Sequence, residues 1–345
     1  MPVELILCDL CTLCGLKKDI HFFPDKDMSH IYKAILSCAL IKNCKAEVRT
    51  LSNVIFSIIL PVKNEGLNIK VTVDSMLRAS GGIPYEIVVV DDGSEDGCCS
   101  FLSARPYTVS CVKLITTTGL GAPGARNAGA KIARGEILVF CDAHITVPFD
   151  WLDHLHRNFL LPTVTGVSPG IASMADPQAV GYGQTWNNSM EAKWLPRPSG
   201  VTAVPLLPGG CQAFRKEAFF SVGGYDRGFK VWGHEDEEIS LKMWLFGYSL
   251  FVDPYFNILH LFRPRHPYRV SIKHVSYNFM RMACSHFGEK RLTFALSLKK
   301  DQKYFEQILA EVLLSDVWEQ RRDYLTRRRH DDGWFIRRFN IPVIL

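Results

Sequence analysis

Apolar residues along the first half of the chain fall into short unbroken runs. Each run is bounded by glycine, proline or acidic residues. The runs at 56–62, 86–90, 112–116 and 137–141 are rich in valine and isoleucine and have strand length. The 137–141 run is apolar at every position, which predicts a strand buried on both faces, as in a parallel sheet; 56–62 reads as a second buried strand, 86–90 as a third apolar one and 112–116 as a fourth strand. Helical spacing predicts helices over 68–78, 125–133 and 151–159 between and after them. Strand and helix alternating in this rhythm predict an α/β fold, a mainly parallel sheet with helices on both faces.

Past residue 150 the pattern loosens. A short strand is expected at 164–168, then a loop over 175–208 rich in Pro, Gly, Trp and Asn, a length that favours a binding role. Gly209-Gly210 leads into a helix near Glu217. Trp232-Gly233-His234-Glu235-Asp236 opens what reads as a strongly amphipathic helix running to Phe246 and stopped by Gly247. Short extended segments follow at 249–252 and 257–260. The remainder is helical and increasingly basic, ending in Arg327-Arg328-Arg329, which reads as a solvated face. These shifts divide the chain into a cysteine-rich segment (1–53), a catalytic domain (54–270) and a basic helical extension (271–345).

Composition narrows the class. With 47% hydrophobic and 22% charged residues among 345, the chain is a globular protein. No apolar run reaches the length needed to span a bilayer, and the start lacks the pattern of a signal peptide. A cytoplasmic location is therefore expected, with contact at a membrane surface left open. A net charge of +5, with no basic stripe interleaved with aromatics, gives no case for nucleic acid. The 11 cysteines are an odd number and no secretory signal is read, so a disulfide scaffold is disfavoured. Cys8, Cys11 and Cys14 have a spacing that can hold zinc or part of an iron–sulfur cluster, with buried or free thiols as the plainer reading. The segment 28–41, between them and the first strand, looks helical.

Three acidic clusters carry the candidate chemistry. Asp142 and His144 flank one residue at the end of the 137–141 strand, where open α/β sheets bind ligands. Oxygen and imidazole donors together suit Mn²⁺ or a similar divalent ion such as Mg²⁺, which would neutralise a diphosphate. Asp91-Asp92 end the 86–90 strand, and a carboxylate there can accept from a base N–H. Glu235-Asp236 open a helix, where an acid could deprotonate an attacking hydroxyl. Taken singly, each cluster reads equally as a cap, a turn or a solvated face. Together, at the ends of buried strands, they predict one site.

The motifs Ser57-Ile-Ile-Leu-Pro-Val-Lys-Asn-Glu65, Val89-Val-Asp-Asp-Gly-Ser94 and Gly124-Ala-Arg-Asn-Ala-Gly129 extend this picture. So do Cys141-Asp-Ala-His144, Gly209-Gly210, Trp232-Gly233 with Glu235, and His260 before Phe262-Arg263. In order and spacing the set resembles the GT-A glycosyltransferases of the family 2 type, and most of all the polypeptide N-acetylgalactosaminyltransferases. The resemblance covers about residues 56–268. It implies a Rossmann-like nucleotide-sugar-binding fold and a UDP-linked hexose or N-acetylhexosamine donor. It also implies a glycan, peptide or small-molecule acceptor.

By that resemblance Pro61, Glu65, Asp91 and Asp92 line the uridine side, and Asp142, His144 and His260 bind the metal. Arg126 and Asn127 lie beside the nucleotide, Gly209 and Gly210 let the backbone approach the sugar, and Trp232 and Glu235 flank it. One departure bears on mechanism. The polypeptide transferases have Asn after the glutamate, whereas this chain has Asp236. Glu-Asp here resembles the beta-1,4-galactosyltransferases, whose Asp is the base of an inverting displacement. Inversion with Asp236 as base is therefore expected, with a retaining N-acetylgalactosaminyltransferase-like reaction as the alternative. Two more distant readings remain: Gly119-Leu-Gly121-Ala-Pro-Gly124 fits a dinucleotide-binding string, and a non-catalytic sugar-binding domain is conceivable.

Overall fold

The computed structural model describes residues 54–79 and 82–343. The cysteines expected to bind metal and the helix expected at 28–41 lie outside the described residues. Residues 53–345 form one compact unit.

Strand β1 (Phe56–Val62), β2 (Tyr85–Asp91), β3 (Val112–Thr116) and β4 (Ile137–Cys141) lie where the apolar runs predict them. They pair in parallel in the order β4-β1-β2-β3. Every residue of β4 is buried, because β4 is covered on both faces and bonded on both edges. Between the strands run α1 (Asn68–Arg78) and α2 (Gly121–Ile132). Helix α2 begins four residues before the predicted start. Pro123 sits in its first turn, where a missing N–H costs nothing.

Beyond β4 the sheet becomes mixed. The elements in chain order are β5 (Ile145–Thr146), α3 (Trp151–Phe159), β6 (Gly166–Ser173), β7 (Val180–Gly181), β8 (Gln184–Trp186), β9 (Ala192–Trp194), β10 (Thr202–Ala203), β11 (Cys211–Arg215) and α4 (Lys216–Ser221). Then come α5 (Glu235–Leu245) and β12 (Leu250–His260). The sheet order is β10-β12-β6-β11-β4-β1-β2-β3. β11 is antiparallel to both β4 and β6, whereas β12 is parallel to β6.

Several expectations change here. The stretch 175–208 is not one loop but carries β7 to β10. The short segments at 249–252 and 257–260 are one strand, with a register shift between Asp253 and Asn257 where the pairing with β6 is interrupted.

Helix α5 departs most from its sequence reading. It starts at Glu235, and instead of being amphipathic it is buried on nearly every side. Its charges are neutralised internally. Glu238 accepts from Lys242 Nζ at 3.0 Å and pairs with His286 Nε2 at 2.8 Å. Glu237 accepts from Trp186 Nε1 and pairs with His234 Nδ1 at 2.7 Å. Burying such charges is tolerated only with partners of this kind. The predicted stop holds: Gly247 takes φ +89°, its N–H bonds Trp244 O, and Tyr248 N–H bonds Met243 O, the two bonds of a glycine C-cap.

The C-terminal helices α6 (Ile272–His286), α7 (Glu289–Ser297), α8 (Phe305–Leu313), α9 (Val317–Arg327) and α10 (Asp332–Arg338) share the core with this half of the sheet. Arg281 on α6 is fully buried and bonds Asp226, Asp316, Ser315 and Gln320. Arg281 is therefore tied into the fold, whereas Arg327 and Arg329 at the end of the basic run are exposed, as the solvated-face reading expects. Among the described residues no helix is long and apolar enough to cross a membrane.

Candidate active site

A cavity of about 700 Å³ opens at the carboxyl ends of β1, β2 and β4. Pairing of strand ends builds its centre. Ile145 of β5 pairs with His260, the last residue of β12, and Leu261 N–H donates to His144 O. This short antiparallel contact brings His144 and His260 together across 116 residues of chain. Asp142 N–H donates to Gly210 O at 3.2 Å, which seats the glycine pair beside the end of β4.

Asp142, His144 and His260 each present a ligand atom, all within 4.8 Å of one another. His260 Nε2 lies 3.1 Å from Asp142 Oδ2. The two imidazoles and one carboxylate fit a borderline-to-hard divalent ion such as Mn²⁺. Burial alone would raise the Asp142 carboxyl pKa. The hydrogen bond with His260 and the charges of Arg126 and His144 overcome this and hold it well below the usual carboxylate range, so the group is ionised.

Arg126 links this triad to the other acids. Its Nη2 donates to Asp142 Oδ1 and its Nη1 to Glu235 Oε1, both at 2.9 Å, and the side chain is almost wholly buried. Glu235 also accepts the Gly233 N–H at 2.6 Å. Asp236, next along, keeps one edge toward the cavity. Its Oδ2 accepts Gly209 N–H at 3.0 Å and its Oδ1 accepts Glu237 N–H at 3.1 Å. Burial, then the charges of Glu235 and Glu237, push the Asp236 carboxyl up to about 7. A carboxylate of that basicity suits proton abstraction near neutral pH.

The glycine pair stands in tight space. A Cβ on Gly209 would lie 3.3 Å from Asp236 Oδ2, and one on Gly210 would lie 3.1 Å from the His260 ring. The chain thus threads between the metal triad and the Asp236 carboxylate.

The other predicted residues divide. Pro61, Glu65, Asp92 and Trp232 line the cavity. Glu65 is held by Arg263, which donates to both carboxylate oxygens at 2.8 and 3.0 Å and also approaches His144 Nδ1 at 2.9 Å. Asp92 accepts the N–H groups of Leu120 and Gly121 at 2.7 and 2.8 Å. Asp91 does not line the cavity; its carboxylate accepts the Ser94 N–H and shapes the turn after β2. Asn127 does not line it either. Its amide pairs with both the N–H and the C=O of Tyr225. Lys63, Trp194, His266 and Tyr268 line the cavity without having been singled out from the sequence. Lys63 stands within a quoted motif and Trp194 within the stretch 175–208 expected to bind, whereas His266 and Tyr268 had only their nearness to His260 and Arg263 to mark them.

The glycine string at 119–124 does not cradle a dinucleotide. The first amides of α2 are taken by Asp92 and by Val231 O, which accepts from Ala122 at 2.7 Å. Anion capture by a helix N-terminus needs those amides free. Gly121 is needed because Val231 Cα stands 2.6 Å from where its Cβ would be.

The sheet order, the strand-end site and the Asp-x-His ligand pair define a GT-A domain of the glycosyltransferase class. Residues 57–222 match glycosyl transferase family 2, and residues 202–275 match the N-terminal domain of galactosyltransferase. Its relatives include polypeptide N-acetylgalactosaminyltransferase 11 of Xenopus tropicalis. That match is 31% identical over 252 residues, covering 66% of this chain and 42% of the relative. Polypeptide N-acetylgalactosaminyltransferase 8 of Drosophila melanogaster is 30% identical over 227 residues, 60% and 38%. The chain spans less than half the length of the curated relatives it matches. The crystal structure of GalNAc-T7 with UDP, GalNAc and Mn²⁺ superposes with a TM-score of 0.68 at 23% identity. It covers 84% of this chain and 57% of that one.

Proposed function

We propose that the chain transfers a sugar from a UDP-linked hexose or N-acetylhexosamine to a hydroxyl-bearing acceptor, in a metal-dependent and inverting reaction. The observation that carries this reading is the Gly209-Gly210 passage, with the Asp142–His144–His260 triad on one side and the Asp236 carboxylate on the other. A divalent ion held by the triad would supply charge neutralisation for the diphosphate leaving group.

The chain's own residues do the rest. Arg126 keeps Asp142 and Glu235 in fixed relation, and Glu235 lines the cavity that would receive the sugar. Gly209 N–H orients the Asp236 carboxylate, which lines the cavity and there accepts the proton of the acceptor hydroxyl. As the acceptor oxygen bonds to the anomeric carbon, the diphosphate departs from the opposite face and the configuration inverts. General-base assistance of this kind is worth on the order of 10²–10⁴ in rate. The match of residues 202–275 to galactosyltransferase covers Asp236 and supports this assignment. The similarity to polypeptide N-acetylgalactosaminyltransferases favours the retaining alternative.

A panel of UDP-, GDP- and dTDP-sugars tests the proposal, each assayed for Mn²⁺-dependent binding, hydrolysis and transfer. NMR of the product's anomeric configuration decides between inversion and retention. Binding of none of the donors would overturn the reading.

A further inference from the structure

Neither family match extends past residue 275, yet α6 reaches the site from beyond it. Residues 275, 278 and 279 share one face of that helix. All three abut the segment that leads into α5. Val275 packs against Gly233, Phe279 stands 5.3 Å from the His234 ring, and between them lies Asn278, which is fully buried.

The Asn278 amide acts on segment 230–233 as a strand partner would. Its Oδ1 accepts Lys230 N–H at 2.7 Å. Its Nδ2 donates to Lys230 O at 2.8 Å and Gly233 O at 2.9 Å, with a longer contact of 3.3 Å to Trp232 O. The Lys230 side chain is fastened to the same helical layer, 4.0 Å over the Tyr277 ring and 2.7 Å from Glu311. On the opposite side Ala122 N–H bonds Val231 O.

The segment needs this hold. Val231, Gly233 and His234 have φ of +42°, +107° and +64°, a run of left-handed backbone that a β-branched residue and a histidine rarely adopt. Such a conformation persists only where its surroundings over-determine it. What it achieves is placement. Trp232 lines the cavity, Gly233 N–H reaches Glu235, and the first turn of α5 presents Asp236 beside Gly209.

We propose that Asn278 is a positioning residue for sugar transfer, acting through segment 230–233 on Trp232, Glu235 and Asp236. The proposal rests on the glycosyltransferase reading for its kinetic consequence, and on the hydrogen-bond geometry alone for its structural one. Asp142 and His144 follow β4 and His260 ends β12, none of them bonded to Asn278, so loss of the clamp should cost catalysis more than nucleotide binding.

The test compares wild type with Asn278→Ala and with Met280→Ala. Met280 is an equally buried core residue of α6, turned to another side of the helix. In Asn278→Ala, kcat should fall about 100-fold, as misplacement of about an ångström does, while affinity for UDP with Mn²⁺ stays within about threefold. Amide hydrogen exchange over 230–235 should accelerate at least about tenfold, reporting local opening. Met280→Ala should lower Tm without either change. If Asn278→Ala does not fold, Asn278→Ser, which keeps one polar group, should show the same pattern more weakly.

Unchanged exchange over 230–235, or a kcat loss no greater than that of Met280→Ala, overturns the proposal. Should wild type turn over no donor, the function fails instead, and exchange alone decides whether the clamp exists.

Discussion

The Gly209 amide donates to Asp236 Oδ2 at 3.0 Å, while the neighbouring Gly210 lies against the His260 ring. Two adjacent residues without side chains thus hold the candidate base and a candidate metal ligand on their two sides. A methyl group on Gly210 would press into His260 at 3.1 Å, closer than most real Cβ contacts. Gly210→Ala should weaken Mn²⁺ binding several-fold with little loss of Tm, read by electron paramagnetic resonance titration. Undiminished Mn²⁺ affinity would show that His260 has room to give way.

Asp142→Ala or His260→Ala should abolish Mn²⁺ binding and turnover while the far-ultraviolet circular dichroism stays native. Removing Asp142 also leaves one arm of the buried Arg126 unpaired, so a stability loss of about 1–3 kcal/mol is expected there, read as a lower Tm. Full activity in excess EDTA would sink the metal assignment.

Asp236 acts as a base only when ionised. With its carboxyl pushed up to about 7 by burial and by Glu235 and Glu237, kcat should rise with pH through that region and level off above it. Asp236→Asn keeps the size of the side chain and removes the basicity. It should lower kcat by about 10²–10⁴ and abolish that acid limb, leaving donor affinity unchanged. A product that retains the donor's configuration would falsify inversion directly.

Glu86 offers a check away from the site. It is fully buried on β2, which by itself would raise its pKa. Hydrogen bonds from Lys113, the Arg134 N–H, Ser57 and the Arg134 side chain instead lower it to about 2. A depressed carboxyl stabilises the fold above its ordinary pKa of 4.5 and loses that contribution as pH falls toward 2. Glu86→Gln should therefore lower Tm at pH 7, and the gap to wild type should close between those two values. A gap independent of pH would mean that the charge is not what matters.

Much of this architecture is local and therefore legible in the chain. The strands β1, β2 and β4 are apolar runs that the middle of a sheet buries, β3 lies half-exposed at its edge, and three of the four have the predicted limits. Asp142 and His144 are two residues apart, so any strand ending at Cys141 delivers both to one edge. The Gly209-Gly210 and Glu235-Asp236 pairs are likewise readable as motifs, because their chemistry depends on adjacent positions.

Tertiary structure decided the rest, wherever a residue's role depends on partners far along the chain. Asn127 stands next to the cavity-lining Arg126, and only the fold turns its amide to Tyr225, 98 positions away. Helix α5 reads as half-exposed because Glu237, Glu238 and Lys242 are charged. It is buried because Trp186 and His286 lie some 50 residues away in sequence and pair with those charges. Arg126 reaches Glu235 across 109 positions, and Asn278 holds Lys230 across 48. Periodicity reports which face of an element avoids water, but it holds no information about which distant polar group will replace that water, and in this site the replacement sets the chemistry.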